Sequence, residues 1–196
     1  VWQFAVERFA DLHDESLLET CFEPLIRQIR WFENHRAADP EGFYYLDILT
    51  QKWESGVDEG IRFKGVQSGP LACVDATAHA YDLYAYAANW AKRLNKDGAE
   101  FAEKAEKLKQ FMCTALFSDE TAFFHDIWSV DQPSMRHLTF EGMWPMVVGA
   151  ASEKQASRVI DDNLLNPDRF FAKHPITSLS QNDPDYEMRM WLGPAW

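Results

Sequence analysis

Residues 53–63 hold the densest group of reactive side chains in the chain. The segment reads Trp-Glu-Ser-Gly-Val-Asp-Glu-Gly-Ile-Arg-Phe, so three carboxylates, an arginine and two flanking aromatic rings lie within eleven residues. Cleaving a glycosidic bond needs one carboxylic acid to protonate the leaving oxygen and a second carboxylate to act on water or on the anomeric carbon, while aromatic faces hold the sugar ring. The two glycines interrupt regular helix and strand, which favours a loop that presents side chains. The loop supplies at most the first member of the carboxylate pair.

Asp58 is the candidate general acid, because it lies in a glycine-containing loop bracketed by aromatic residues, a setting in which a carboxyl group can act as a proton donor. Glu54 and Glu59 compete for this role. Either could instead accept hydrogen bonds from sugar hydroxyls or orient Arg62, whose planar guanidinium group suits a carboxylate partner. A solvated carboxylate in a turn is the alternative interpretation of Asp58.

Two further segments combine turn-forming residues with tryptophan. Residues 182–196 begin with Asn-Asp-Pro-Asp-Tyr and end with Trp-Leu-Gly-Pro-Ala-Trp. Trp191 or Trp196 could therefore form the wall of a pocket, although a packed loop fits this composition equally. Glu141 stands beside a glycine at the start of a predicted helix that also carries Trp144. A position in the cleft and a helix-capping role are both open for Glu141.

The charge of the chain restricts its partners. Its 196 residues carry a formal net charge of −12, which argues against nucleic acid or an anionic membrane as partner, since both require a basic face. A neutral or cationic ligand fits better. No apolar run approaches the ~18 residues that a membrane-spanning helix needs. The first residues lack a signal-peptide pattern, which favours a cytoplasmic location.

Cysteine and histidine spacing predicts neither a metal site nor a cofactor. Three cysteines lie far apart in the sequence and six histidines show no paired spacing, so we interpret the cysteines as buried thiols. No glycine-rich phosphate loop and no G-x-S-x-G motif is present, which argues against nucleotide binding and serine-hydrolase chemistry. A Ca²⁺ site built from scattered loop carboxylates stays open.

Apolar residues recur at helical spacing through most of the chain, which predicts an all-α fold. We expect a helix over residues 16–35, kinked or split at Pro24. A nearly uncharged inner helix over residues 75–94 would start at Asp75 as its N-cap. An outer helix over residues 98–117, a hairpin or extended loop over 118–130, and a second inner and outer pair over 138–150 and 152–165 would follow. This alternation suggests an α/α toroid whose loops line a central cleft, although a helical solenoid fits the same periodicity.

Residues 54–63 resemble the E-S-G-x-D-x-x-x-R-F signature of glycoside hydrolase family 63 and its trehalase-like relatives, which include mannosyl-oligosaccharide glucosidase-like enzymes. Further segments of the chain resemble sequence blocks of that family in the same order. They are Asp75 with its Ala/Tyr-rich helix, residues 116–126, residues 175–180, Asp183-Pro184 and residues 191–196.

The resemblance implies an (α/α)6 toroid, of which about half is present as one partial catalytic domain over residues 1–196. It also implies inverting hydrolysis of an α-linked glucoside or mannoside. Asp58 would be the general acid. The predicted substrate-binding residues are Trp53, Glu54, Arg62, Glu141, Trp144, Trp191 and Trp196.

The chain departs from the family pattern at two points. Leu192 stands where the family usually has arginine, and the family's general base is a glutamate in a block beyond the last tryptophan motif. Because the chain also begins without Met, we expect it to be a piece of a larger enzyme, inactive alone, whose exposed helix faces are covered by the rest of its toroid or by another chain.

Two other functions remain open. A non-catalytic carbohydrate-binding or scaffold protein on the same fold would explain the missing base and Leu192. A sugar epimerase or polysaccharide lyase would need a histidine or tyrosine base, for which His79 and His137 are candidates without supporting spacing.

Overall fold

The computed structural model describes residues 2–50, 53–58 and 60–194. Within these ranges the fold is mostly helical, with a single two-stranded hairpin. The helices are α1 (Trp2–Leu12), α2 (Ser16–His35), α3 (Asp47–Thr50), α4 (Val74–Arg93), α5 (Ala99–Phe111), α6 (Trp144–Val147) and α7 (Glu153–Arg158). Strands β1 (Phe117–Ser118) and β2 (Phe123–Phe124) pair antiparallel.

Helix α2 forms over the predicted residues and passes through Pro24 without a break. Its apolar residues Leu18, Phe22, Leu25 and Ile29 recur at helical spacing and are all buried. This stripe packs against α1 and α4.

Helix α4 is the central element of the core, and it packs against α2, α5 and α6. Most of its alanines and Trp90 are buried, whereas α5 buries only Phe101, Ala105 and Leu108 and exposes most of its charged residues. The predicted alternation of an inner and an outer helix is therefore present. The N-cap prediction was wrong, because the helix is capped at Cys73 and the Asp75 side chain lies inside the first turn.

The predicted second inner helix is much shorter than expected. Residues Phe140–Met143 form a 3₁₀ turn that leads into α6, and Gly149 follows with a φ of 75°. A left-handed residue of this kind ends a helix at little cost only when it is glycine. Two outer helices instead end in π-helical turns, Met112–Leu116 after α5 and Val159–Leu164 after α7.

The hairpin predicted as one option for residues 118–130 is present over residues 117–124, and β2 packs against the 3₁₀ turn Phe140–Met143. Phe123 and Phe124 are both almost fully buried, and Phe123 stacks on Phe170 with ring centroids 5.5 Å apart. The strand leads into Asp126, which lies at the N-terminus of α4. The hairpin therefore delivers an acidic side chain to the end of the inner helix at which the residue 53–63 loop also arrives. No described helix is long and apolar enough to cross a bilayer.

Candidate functional site

The loop that carries Asp58 is held by a reciprocal clamp of hydrogen bonds, formed between residues 46–47 and residues 54–55. Asp47, at the start of α3, accepts hydrogen bonds from the backbone N–H groups of Glu54 at 2.9 Å and Ser55 at 3.1 Å and from Ser55 Oγ at 2.6 Å. In the other direction, the N–H of Leu46 donates to the Glu54 carboxylate at 2.7 Å. Ser55 Oγ in turn accepts from the N–H of Val57 at 3.2 Å. The backbone on the N-terminal side of Asp58 is thereby fixed.

Glu54 also ties the loop to the end of α2. Arg36, at the C-cap of that helix, donates to the Glu54 carboxylate from Nε at 2.9 Å and from Nη2 at 2.6 Å. The hydrogen bonds from Arg36 and from the Leu46 N–H lower the pKa of Glu54, although partial burial opposes them. Glu54 is therefore ionised and bonded to Arg36 and to the Leu46 N–H, and its contact with a sugar hydroxyl stays a prediction.

Asp58 itself is half-buried, and its carboxylate has no hydrogen-bond partner among the described residues. Val57 and Gly60 both line a cleft of about 560 Å³, although Asp58 is not part of the lining. Trp53, which is 70% exposed, forms part of the same wall. The cleft also presents charged side chains of both signs: Asp47, Lys64, Asp185, Glu187 and Arg189. Its size is in the range of small-ligand sites.

Arg62 lies between Ile61 and Phe63, which both line this cleft, and is only 4% exposed. Its guanidinium group donates to both carboxylate oxygens of Asp75, at 2.8 and 3.1 Å, and to Asp126 Oδ1 at 3.2 Å. Its Nε lies 3.5 Å from Glu141 Oε1. These four residues are the buried ion cluster. Arg62 comes from the end of the residue 53–63 loop and Asp75 from α4. Asp126 comes from the segment after β2, and Glu141 from the 3₁₀ turn Phe140–Met143.

One guanidinium group faces three carboxylates in this cluster, and all four groups are buried. Burial raises the pKa of Asp126 to about 7, although Arg62 opposes the shift. Burial also raises the pKa of Glu141, whose Oε2 has no hydrogen-bond partner among the described residues. Because two uncompensated negative charges are costly in a buried site, we infer that the cluster holds a proton near neutral pH.

The predicted aromatic residues lie at separate points around the site. Trp144 meets the His79 ring edge-on at 4.5 Å, and Tyr45 Oη lies 2.8 Å from His79 Nδ1. Burial lowers the pKa of His79, which favours a neutral imidazole. Trp191 stacks on Phe140 with ring centroids 5.7 Å apart, next to Glu141. Trp196 and Glu59 lie outside the described residues.

A group of potential metal ligands is present that the linear spacing did not indicate. His137, Asp183 and Asp185 place one ligand atom each within 4.8 Å of one another. His137 Nδ1 lies within hydrogen-bonding distance of Asp183 Oδ2, at 3.0 Å, and Lys64 pairs with Asp185 at 3.3 Å. Both carboxylates therefore have protein partners without an ion.

Sequence reasoning missed Asp47, Asp126 and Arg36. Asp47 and Arg36 precede the motif and carry no local pattern of their own, because their partners are reached only through the folded loop. Asp126 lies inside a block already marked by resemblance, so it could have been singled out there. The sequence prediction placed Arg62 and Glu141 beside the sugar, whereas the structure places both in the buried ion cluster.

Comparison with known proteins supports this reading of the fold. The "Mannosylglycerate hydrolase MGH1-like glycoside hydrolase domain" model matches residues 1–196. No curated protein gives a significant match.

Among solved structures, the GH63 mannosylglycerate hydrolase from Thermus thermophilus in complex with glucose superposes with a TM-score of 0.76 at 19% identity, over 99% of this chain and 56% of its own. A sialidase gives 0.78 at 16% identity, over 93% of this chain and 17% of its own. Neutral trehalase Nth1 from Saccharomyces cerevisiae gives 0.53 at 19% identity, over 70% of this chain and 27% of its own.

The chain thus spans little more than half of the Thermus protein. Its fold is that of the α/α-toroid glycosidases, with about half of the toroid present, and the resemblance to glycoside hydrolase family 63 and trehalase is confirmed. The chain therefore belongs to the family of mannosylglycerate hydrolase MGH1-like glycoside hydrolase domains.

Proposed function

We propose that this chain is the acid-bearing part of a glycosidase that hydrolyses an α-linked glucoside or mannoside with inversion, and that Asp58 is the general acid. The observation that carries the proposal is the state of Asp58. It is a half-buried carboxylate without a partner among the described residues, on a loop fixed by the clamp beside an aromatic-walled cleft. A general acid must be free to reach the leaving oxygen and must be held in place.

Family membership supports hydrolysis as the reaction class, and the Thermus relative is described with bound glucose. In an inverting enzyme the acid and base stand about 6.5–9.5 Å apart, which leaves room for the attacking water. We assign the base to a carboxylate outside residues 1–196. The chain alone would therefore be inactive, and it forms one partial catalytic domain.

The remaining predicted residues divide into two groups under this proposal. Trp53, which is 70% exposed, is the first candidate for sugar stacking, with Trp144, Trp191 and Trp196 as further candidates. Glu54, Arg62 and Glu141 have their charged groups directed at protein partners, so we assign them to holding the site in shape rather than to touching the sugar. A bound metal or organic cofactor is not needed for this chemistry.

A non-catalytic carbohydrate-binding protein is the second candidate, and Leu192 favours it. In place of the family's usual arginine, this leucine packs with Ile61 and Leu179 in a small apolar cluster that reaches the cleft. One polar contact expected of the family is therefore missing.

The proposal is tested by assaying the full-length protein against α- and β-linked glucosides and mannosides, with NMR used to identify the first product anomer. Inverting hydrolysis of an α-glycoside releases the β-anomer first. Asp58→Asn should lower turnover by about 10²–10⁴-fold, the typical contribution of a general acid. Asp97→Asn, at an exposed carboxylate before α5, serves as control and should leave turnover unchanged. Binding without product release would favour the second candidate, and release of the α-anomer first would contradict inversion.

A further inference from the structure

We propose that Asp47 is a positioning residue of the site. It fixes the position of the Asp58 carboxylate by holding the backbone of residues 54–57. This inference rests on the proposed function of Asp58 and names a residue that the family signature does not contain. Asp47 lies seven residues before Glu54 and is only 6% exposed. It carries no local motif.

The geometry shows why one side chain can control the loop. Both Asp47 oxygens are used, since Oδ2 accepts from the N–H groups of Glu54 and Ser55 while Oδ1 accepts from Ser55 Oγ. The Ser55 hydroxyl extends this hydrogen-bond network towards Asp58, because it also accepts from the N–H of Val57. A carboxylate is the acceptor-only group that satisfies three donors at once, because an asparagine in its place offers one oxygen and two N–H donors.

Apart from the clamp and the buried side chain of Val57, which is 7% exposed, little holds this segment. Gly56 has a φ of 76° and no atom within 4 Å of the point where a side chain would start. Trp53 is largely exposed. Without Asp47, the backbone amides of residues 54 and 55 lose their acceptors. The Glu54 contacts with Arg36 and with the Leu46 N–H would still anchor one point. The backbone between Glu54 and the buried Val57 would then be free to change its path, which shifts Asp58.

Misplacement of a catalytic group by about 1 Å can cost 10²-fold in rate. We therefore expect Asp47→Ala in the full-length protein to lower kcat by about 10–100-fold while KM changes by less than about 3-fold, since acid positioning acts on the chemical step. Asp47→Asn, which keeps one acceptor oxygen, should give an intermediate loss. Ser55→Ala removes one arm of the clamp without altering α3 and should lower kcat by a smaller factor.

Hydrogen exchange on residues 53–58 provides a readout that does not depend on activity. Amide exchange in this segment should accelerate by about 10-fold or more in Asp47→Ala, because the protecting acceptor is gone. Asp97→Ala is the matched control. Asp97 also accepts a backbone N–H, from Ala99 at 3.0 Å, but at the exposed start of α5. It should change neither exchange in residues 53–58 nor kcat.

Unchanged exchange in Asp47→Ala would overturn the proposal, and so would faster exchange with an unchanged kcat. A KM rise without a fall in kcat would also overturn it, because it would make Asp47 a substrate contact. If Asp47→Ala does not fold, hydrogen exchange and kcat are measured on Ser55→Ala and judged by the same criteria. If the wild-type protein hydrolyses no α-glycoside, the proposed function fails, and the exchange data alone decide whether Asp47 orders the loop.

Discussion

At the scale of single residues, the buried ion cluster shows how this site tolerates charge in its core. Arg62 reaches Asp75 through two nitrogen atoms and Asp126 through one of them. Asp126 is also bonded by the N–H of Val74 at 2.8 Å, at the start of α4. The backbone of Arg62 is fixed separately, since its carbonyl accepts from Trp128 Nε1 at 3.2 Å. The residue after the Asp58 loop is therefore anchored to the inner helix and to the hairpin.

Removing the guanidinium group should destabilise the fold strongly. Arg62→Met leaves three buried carboxylates without their cation, and breaking a buried charge pair in this way typically costs about 3–5 kcal/mol. Urea unfolding monitored by circular dichroism would measure this loss. Arg30→Met, at an exposed ion pair with Glu100, is the control and should cost about 1 kcal/mol or less. A loss of similar size in both variants would contradict the structural importance of the cluster.

Asp126 should make stability depend on pH. Its pKa in the folded state, about 7, lies above the ordinary value of 3.8. The stability linked to its proton is fully present below about pH 4 and is lost as the pH rises through 7. The free energy of unfolding of the wild-type protein minus that of Asp126→Asn should therefore fall by on the order of 1–3 kcal/mol between pH 4 and pH 8. Urea titrations of both proteins across this range would measure the difference. A difference that stays constant or rises would show that Asp126 is ionised in the fold.

At the scale of elements, the site depends on the hairpin and the 3₁₀ turn Phe140–Met143 approaching each other closely. Gly142 makes this approach possible, because a Cβ atom there would overlap the ring of Phe123 and the carbonyl of Phe124. The turn also places Glu141 beside Arg62. Close packing at this glycine thus connects the hairpin to the ion cluster.

Gly142→Ala should therefore destabilise the protein by about 1–3 kcal/mol or more, the usual cost of overpacking a core. Thermal unfolding would measure the shift. Gly69→Ala is the matched control, because a Cβ at residue 69 would meet only Leu71 at 3.9 Å. Equal midpoints of thermal unfolding for Gly142→Ala and the wild type would mean that the hairpin and the 3₁₀ turn can move apart without loss of stability.

The sequence predicted elements well where the signal is local and poorly where it is not. The apolar spacing of Leu18, Phe22, Leu25 and Ile29 is enough to locate α2. Pro145 and Gly149 shorten the helix predicted over residues 138–150. The partners of Arg62 lie 13, 64 and 79 residues away in the chain, so periodicity could not assign it to the core. The loop motif marked Asp58 as a candidate, whereas Asp47 contacts the backbone N–H groups and the Ser55 hydroxyl of the loop and has no motif of its own.

At the scale of the whole molecule, several large apolar side chains lie in water. Phe4 is 65% exposed, Leu12 is 64% exposed and Val147 is 61% exposed. Exposed apolar surface of this kind commonly marks an interface. With little more than half of the Thermus protein matched by the chain, we propose that the rest of the toroid covers these side chains.

Residues 1–196 expressed alone should therefore bind a hydrophobic dye more strongly, per mole, than the full-length protein does. Fluorescence titration with such a dye would measure the difference. Phe4→Ser with Leu12→Ser should lower the signal of the short chain and destabilise the full-length protein. Equal dye binding by the short and the full-length chains would contradict the proposed cover.

The most direct measurement of the central claim, that Asp58 donates the proton to the leaving oxygen, is the dependence of Asp58→Asn on the leaving group. Cleavage of an α-linked disaccharide needs that proton on the leaving oxygen. The fluoride ion of an α-glycosyl fluoride leaves without being protonated. We predict that full-length Asp58→Asn loses about 10²–10⁴-fold in kcat/KM on the disaccharide and keeps most of its rate on the fluoride. Equal losses on both substrates would contradict it, and so would near-normal hydrolysis of the disaccharide.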